Sequence, residues 1–239
     1  MRVIALIPAR GGSVRIPGKN IKPLGGRPLL HYTLAAAVQS GVFVRILVSS
    51  DDDATLACAQ EIPGVMTVRR PAKLATAESP DVEWVAHALA YVAGDRPYDA
   101  FAILRPTSPF RTADTIRRAW VAFDGSGCDS LRAIEPVRET PYKMWVGTSA
   151  DMRPLLSMGE HPPWHSRPTQ TLPVVYKQNA SLEIAKCALV QDRLYPSITG
   201  PCVYGFLNPE PDGFDLNTLE DWDRAEAMIA SGAWTLPTL

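Results

Sequence analysis

Five short apolar runs, each separated from the next by a connection long enough to carry a helix, constrain this chain more than any other feature. They lie at residues 3–7, 44–50, 66–69, 100–104 and 130–134. The first, V-I-A-L-I, is unbroken, as expected of a strand buried on both faces of a parallel sheet. Between the runs, residues 28–40 carry Leu30, Leu34, Ala37 and Val38 at helical spacing, with Gly41 as a natural stop. Val82, Val85, Ala86, Leu89, Val92 and Ala93 share one face of a further helix, and residues 112–123 read as another. This alternation predicts an α/β fold with a Rossmann-like, mostly parallel, doubly wound sheet. One such domain accounts for the whole chain, residues 1–239.

After Glu135 the texture changes. Residues 136–178 hold seven prolines, two tryptophans and little periodicity. Met144, Trp145, Leu155, Leu156, Trp164 and Tyr176 need burial, so the stretch is expected to be a protruding excursion that buries itself against a second subunit. A homodimer is the expected assembly. Strands resume at 181–186 and 202–207, and a last helix near 218–230 opens on Thr218 and Asp221, a capping-box-like pair.

Several function classes are excluded by composition. A net charge of −1 gives no reason to expect nucleic acid, so any phosphate site must be local. The four cysteines, at 58, 128, 187 and 202, form no C-x-x-C pair; structural zinc is not expected, and reduced thiols in a cytoplasmic protein are. The apolar run at the start is too short to cross a membrane, and no membrane partner is expected.

Chemistry concentrates where strands end. Past the first run, Pro8 opens a loop carrying Arg10, Gly11, Gly12, Ser13, Arg15, Gly18 and Lys19. Adjacent glycines let backbone N–H groups wrap an anion, and three cations can neutralise phosphate oxygens. A nucleoside triphosphate site is the functional reading; a strand–turn with a solvated basic edge is the plain one. Asp51, Asp52 and Asp53 begin the next helix, where acids cap helices, although Asp51 lies at a strand's carboxyl end and could serve a ligand. Arg105 and Arg111 flank a proline-fixed turn, which suits an acidic substrate or else surface ion pairs. Lys143 lies in the apolar stretch P-Y-K-M-W. Asp215 and Asn217 alternate along G-F-D-L-N, offering two oxygen ligands to Mg²⁺, or else a turn before a capped helix. His161 and His165 are separated by Pro162–Pro163, which forbids the helix that would pair them.

Taken together, A-R-G-G-S-x-R-I-P-G-K-N, V-S-S-D, R-P-A-K-L-A, R-P-T-S-P-F-R, P-Y-K-M-W and D-L-N-T-L-E-D resemble the cytidylyltransferases that activate sialic acid and related nonulosonic acids. The resemblance implies a nucleotide-diphospho-sugar transferase type of fold with a dimerisation element. It implies transfer of CMP from CTP to an acidic sugar, with Mg²⁺ and release of pyrophosphate. CTP would be held by Ala9, Arg10, Gly11, Gly12, Ser13, Arg15, Lys19, Asn20 and Asp81, with Arg10, Lys19 and Asp215 catalytic. Arg105, Thr107, Ser108, Arg111, Lys143, Gln170 and Asn179 would face the sugar, and Asp215 with Asn217 would bind the metal. The chain departs from the family pattern at Val14, where Lys is usual, at Arg105 for Gln and at Asn217 for Asp. Ala77, Thr169 and Ala180 are further departures. Arg15, next to Val14, supplies the same charge as the missing lysine. These departures leave two other readings open: a different nucleotide or acid as substrate, or a nucleotide-binding homologue with weakened catalysis.

Overall fold

The computed structural model describes residues 1–94 and 96–238. In chain order its elements begin with β1 (Val3–Pro8), the short strands β2 (Pro23–Leu24) and β3 (Arg27–Pro28), α1 (Leu29–Ser40), β4 (Arg45–Ser50) and α2 (Asp53–Gln60). Next come β5 (Val65–Arg69), α3 (Asp81–Tyr91), β6 (Ala100–Ile103), α4 (Ala113–Ser126) and β7 (Ser130–Pro136). The remainder is β8 (Trp145–Thr148), β9 (Asp151–Pro154), β10 (Tyr176–Lys186), α5 (Cys187–Gln191), β11 (Val203–Leu207) and α6 (Leu219–Ala230).

Seven strands form one sheet in the order β11–β7–β10–β6–β1–β4–β5. Only β10 runs antiparallel to its neighbours. The reason is topological: the chain leaves β7 at the sheet's carboxyl edge, and β10 starts beside that exit, with Tyr176 opposite Pro136. Its only continuation is back down the sheet.

Alternate residues of β1 feed two cores. Val3, Ala5 and Ile7 pack with Leu30, Leu34, Ile116 and Phe123 on one face. Ile4 and Leu6 pack with Trp84, Val85, Phe101 and Ile103 on the other. A third cluster, containing Ile16, Leu24, Tyr32, Phe110, Phe214 and Trp222, lies under the loops at the carboxyl edge. It matters for function because it anchors residues 214–217: the Phe214 ring lies 6.1 Å from Phe110 and 5.0 Å from Trp234, both edge-on.

Helix ends follow their sequence signals. Gly41 ends α1 at φ 65°, a conformation that favours glycine. Thr112 caps α4, and Thr218 with Asp221 forms a reciprocal capping box on α6. Several elements differ from expectation, among them the unforeseen β2, β3 and α5. β10 begins at Tyr176, earlier than its apolar half suggests, because its first residues are exposed and polar. The excursion contains a β8–β9 hairpin.

The expectation of four reduced thiols is corrected. Cys128 and Cys202 form a disulfide, and Cys58 and Cys187 are free and buried. The two half-cystines are 74 residues apart in sequence and meet only because β11 pairs with β7. Among the described residues, no helix is long and apolar enough to cross a membrane.

Candidate active site

The first loop is built from within. Ala9 N donates to Ser49 O at 3.0 Å, extending the β1–β4 pairing by one residue. Gly11 N donates to Asp51 Oδ1 at 2.9 Å. A Cβ on Gly11 would lie 2.7 Å from the Asp52 Cβ, so the loop needs glycine to pass the start of α2. Asp52 caps α2, accepting from Thr55 N at 2.8 Å, and Asp53 pairs with Arg69. The three acids therefore brace the loop and the helix. Asn20 adds a brace by donating from Nδ2 to Arg10 O at 2.9 Å.

Above this loop opens a cleft of about 340 Å³ beyond the strands' carboxyl ends. Arg10, Arg15, Lys19, Arg70 and Arg105 line it, against the carboxylates of Asp81 and Asp215. Lys19 Nζ donates to Leu216 O at 2.9 Å, joining the loop to residues 214–217. Burial lowers the Lys19 pKa, against the opposing pull of Asp215. Arg10 donates from Nη1 to Thr76 O at 2.7 Å.

Arg70 was not singled out in the sequence, although it opens R-P-A-K-L-A directly after β5. Its Nε and Nη2 donate to Ser49 Oγ and O at 3.1 and 3.0 Å, and its guanidinium stacks 4.8 Å from the Trp84 ring centre. Burial brings its pKa down to about 10. Arg105 Nη2 donates to Asp81 Oδ2 at 2.6 Å and Glu183 Oε1 at 3.0 Å. Burial pushes the Asp81 carboxyl up, but the charge and hydrogen bond of Arg105, with the Trp84 hydrogen bond and the Arg70 charge, together carry the net shift downward.

A second lobe of about 450 Å³ adjoins the first, sharing Ala180, Asp215 and Asn217 with it. Asn179 lines this second lobe. Its cations are already paired: Lys177 with Glu135 at 2.6 Å and Arg224 with Glu210 at 2.5 Å. At the junction Asn217 Nδ2 donates to Asp215 Oδ2 at 2.6 Å, and Asp215 Oδ1 is buried with no hydrogen-bond partner. A cation-rich lobe therefore meets a polar lobe at a carboxylate with one unused oxygen.

Residues 4–110 match the protein family described as Cytidylyltransferase. Over 234 residues the chain is 31% identical to the CMP-N,N'-diacetyllegionaminic acid synthase of Legionella pneumophila, covering 96% of this chain and 97% of that one. The chain belongs to the cytidylyltransferase family. The pseudaminic acid cytidylyltransferase of Campylobacter jejuni is 32% identical over 124 residues, 52% of this chain and 53% of that one. In fold, CMP:2-keto-3-deoxy-manno-octonic acid synthetase complexed with CTP aligns over 97% of this chain and 100% of that one, with a TM-score of 0.69 at 13% identity.

The cytidylyltransferase structure gathers most of the expected residues. Arg10, Ser13, Arg15, Lys19, Asn20, Asp81, Arg105, Thr107, Asp215 and Asn217 line the first lobe. Arg105 lies here with Asp81 rather than in the second lobe. Other residues are placed elsewhere. Gly11 has its N–H engaged by Asp51, Ala9 is buried in the core, and neither they nor Gly12 line either lobe. Ser108 and Arg111 are wholly buried beneath the turn after β6, so neither can touch a sugar. Lys143 and Gln170 are exposed in short 3-10 turns of the excursion and line neither lobe. The excursion holds them away from their own chain's cleft.

Proposed function

We propose that the chain transfers CMP from CTP to the anomeric hydroxyl of an acidic sugar of the nonulosonic class, releasing pyrophosphate. The observation that carries this reading is the junction of the two lobes at Asp215. Five cations favour a triphosphate in the first lobe, and the hydroxyl-bearing acceptor lies beyond it in the second. Attack on the α-phosphorus forms a P–O bond and breaks the bridge to the β-phosphate, building negative charge on phosphate oxygens. Arg10 and Lys19, each held by a backbone carbonyl, would stabilise that charge together with Arg15.

The residues present fit Mg²⁺. Asp215 Oδ1 is a buried carboxylate oxygen without a partner, and Mg²⁺ takes one or two carboxylates together with substrate phosphates. Among the described residues no group of three or more His, Cys, Asp or Glu is gathered for a metal, so the nucleotide would complete the set. When bound, Mg²⁺ would draw charge from the phosphate oxygens. Asn217 supports Asp215 from Oδ2 and adds no charge of its own.

A homodimer completes this reading. Trp145, Met152, Leu155 and Tyr176 are solvent-exposed on the excursion and on the start of β10, an apolar face that a second copy would cover. The need for CTP favours the cytoplasm. Pyrophosphate release tests the activity. The enzyme would be incubated with CTP, Mg²⁺ and, in turn, N-acetylneuraminic, N,N'-diacetyllegionaminic, pseudaminic and 3-deoxy-manno-octulosonic acids. Release with at least one is expected. Tight CTP binding with release from none would instead mark a nucleotide binder. Sedimentation of the same sample should give twice the chain mass.

A further inference from the structure

Arg111 is a buried charge that the proposed reaction leaves unused. Burial pushes its pKa down to about 9 against the opposing pull of Asp212, and among the described residues it makes no salt bridge. An apolar side chain of similar length would fill the space with a smaller desolvation penalty. An apolar side chain cannot donate hydrogen bonds, however. Nη1 donates to the carbonyl oxygens of Ser181 and Arg105, the latter at 3.4 Å, and Nη2 donates to Thr33 Oγ1 at 2.9 Å. One planar group thereby ties β10, the turn after β6 and α1 together.

The point held on β10 is irregular. Gln178 pairs with Ile134 and Glu183 with Arg132, so a step of five residues on β10 faces a step of two on β7. The surplus forms a bulge, and Ala180 within it lines both lobes. Asn179 closes the bulge: its Oδ1 accepts from Ser181 N and Oγ at 3.3 and 2.6 Å, and its Nδ2 donates to Asn208 O at 2.8 Å. The turn that Arg111 also holds reaches the junction from the other side, where Leu216 N donates to Thr107 O at 2.8 Å.

We propose that Arg111 is a positioning residue for the acceptor. By clamping the Ser181 and Arg105 carbonyls it fixes the bulge that separates the lobes, and so sets where the sugar hydroxyl meets the α-phosphate. It touches neither ligand, and its role rests on the transfer reaction proposed above.

Two variants test this. Arg111→Lys keeps the charge but cannot reach both carbonyls and Thr33 together, and Thr33→Val removes the Nη2 anchor along with the 3.4 Å bond from Thr33 Oγ1 to Arg105 O, leaving both Nη1 bonds in place. With Mg²⁺, CTP and N,N'-diacetyllegionaminic acid, KM for the acid should rise about tenfold in Arg111→Lys and less in Thr33→Val, since small misplacements of a reactant are costly. KM for CTP should rise much less in both, because Arg105 is also held from Asp81 and Glu183. Amide hydrogen exchange should quicken at residues 179–182 and not in β1. Parallel rises in both KM values, exchange that quickens across the sheet, or no change at the bulge would each overturn the proposal. If the wild-type protein releases pyrophosphate with no acid, the transfer reading falls. Exchange at 179–182 then decides by itself whether Arg111 holds the bulge.

Discussion

Lys19 shows how one side chain joins two parts of the site. It comes from the first loop, yet its ammonium is held by Leu216 O almost two hundred residues along the chain. Replacing Lys19 with Ala should lower kcat roughly a hundredfold or more, the usual loss when one charge-stabilising donor is removed. Steady-state pyrophosphate release checks it, and near-normal turnover would remove Lys19 from the phosphate role. Burial lowers the Lys19 pKa, so the charged form is lost at lower pH than for an ordinary lysine. CTP affinity should therefore fall as pH rises, beginning below the usual lysine range, and that limb should vanish in Lys19→Ala. Asn217 is the second telling residue. Its amide donates to Asp215, so Asn217→Asp would replace that hydrogen bond with two facing carboxylates. Thermal melting should show a less stable metal-free protein that Mg²⁺ stabilises at lower concentration than wild type. An unchanged metal titration would count against position 217.

At the scale of elements, α6 holds the junction through its cap. Asp221 Oδ2 accepts from Asn217 N, Thr218 N and Thr218 Oγ1 at 2.8–2.9 Å. Thr218→Ala removes half of the capping box and should cost about 1 kcal/mol. Urea unfolding measures that loss, and because Asn217 shares the same carboxylate, a higher Mg²⁺ requirement should accompany it. The strands and helices themselves were largely legible: an apolar run or a 3.6-residue spacing survives wherever one environment surrounds the element. β10 was legible only in its buried half, from Ser181. Its exposed, polar start carried no apolar pattern to read.

Across the whole molecule, the disulfide links α4's exit to the start of β11. Closing a loop of about 74 residues restricts the unfolded chain and is worth up to about 4 kcal/mol. Thermal melting with and without a phosphine reductant should show that loss on reduction, and identical curves would mean that the thiols are unpaired in solution. Spacing along the chain says nothing of which strands become neighbours, so the sequence alone reads as reduced thiols. The same limit applies to the site. That Arg10, Lys19 and Asp215 belong to one cleft was inferred from a family pattern, and the geometry then brought them together.

By itself the sequence determined the alternation of strands and helices, the loop that gathers cations at a strand end, the capped final helix and the family. Each depends on residues close in the chain, or on motifs whose order is preserved. Only the tertiary structure decided that Arg111 points inward, that Arg105 pairs with Asp81 and Glu183, and that Lys143 and Gln170 stand away from the cleft. A side chain's partner depends on what the fold packs beside it. For a guanidinium or an ammonium, the same residue type serves a ligand, a carbonyl or a carboxylate with equal chemistry.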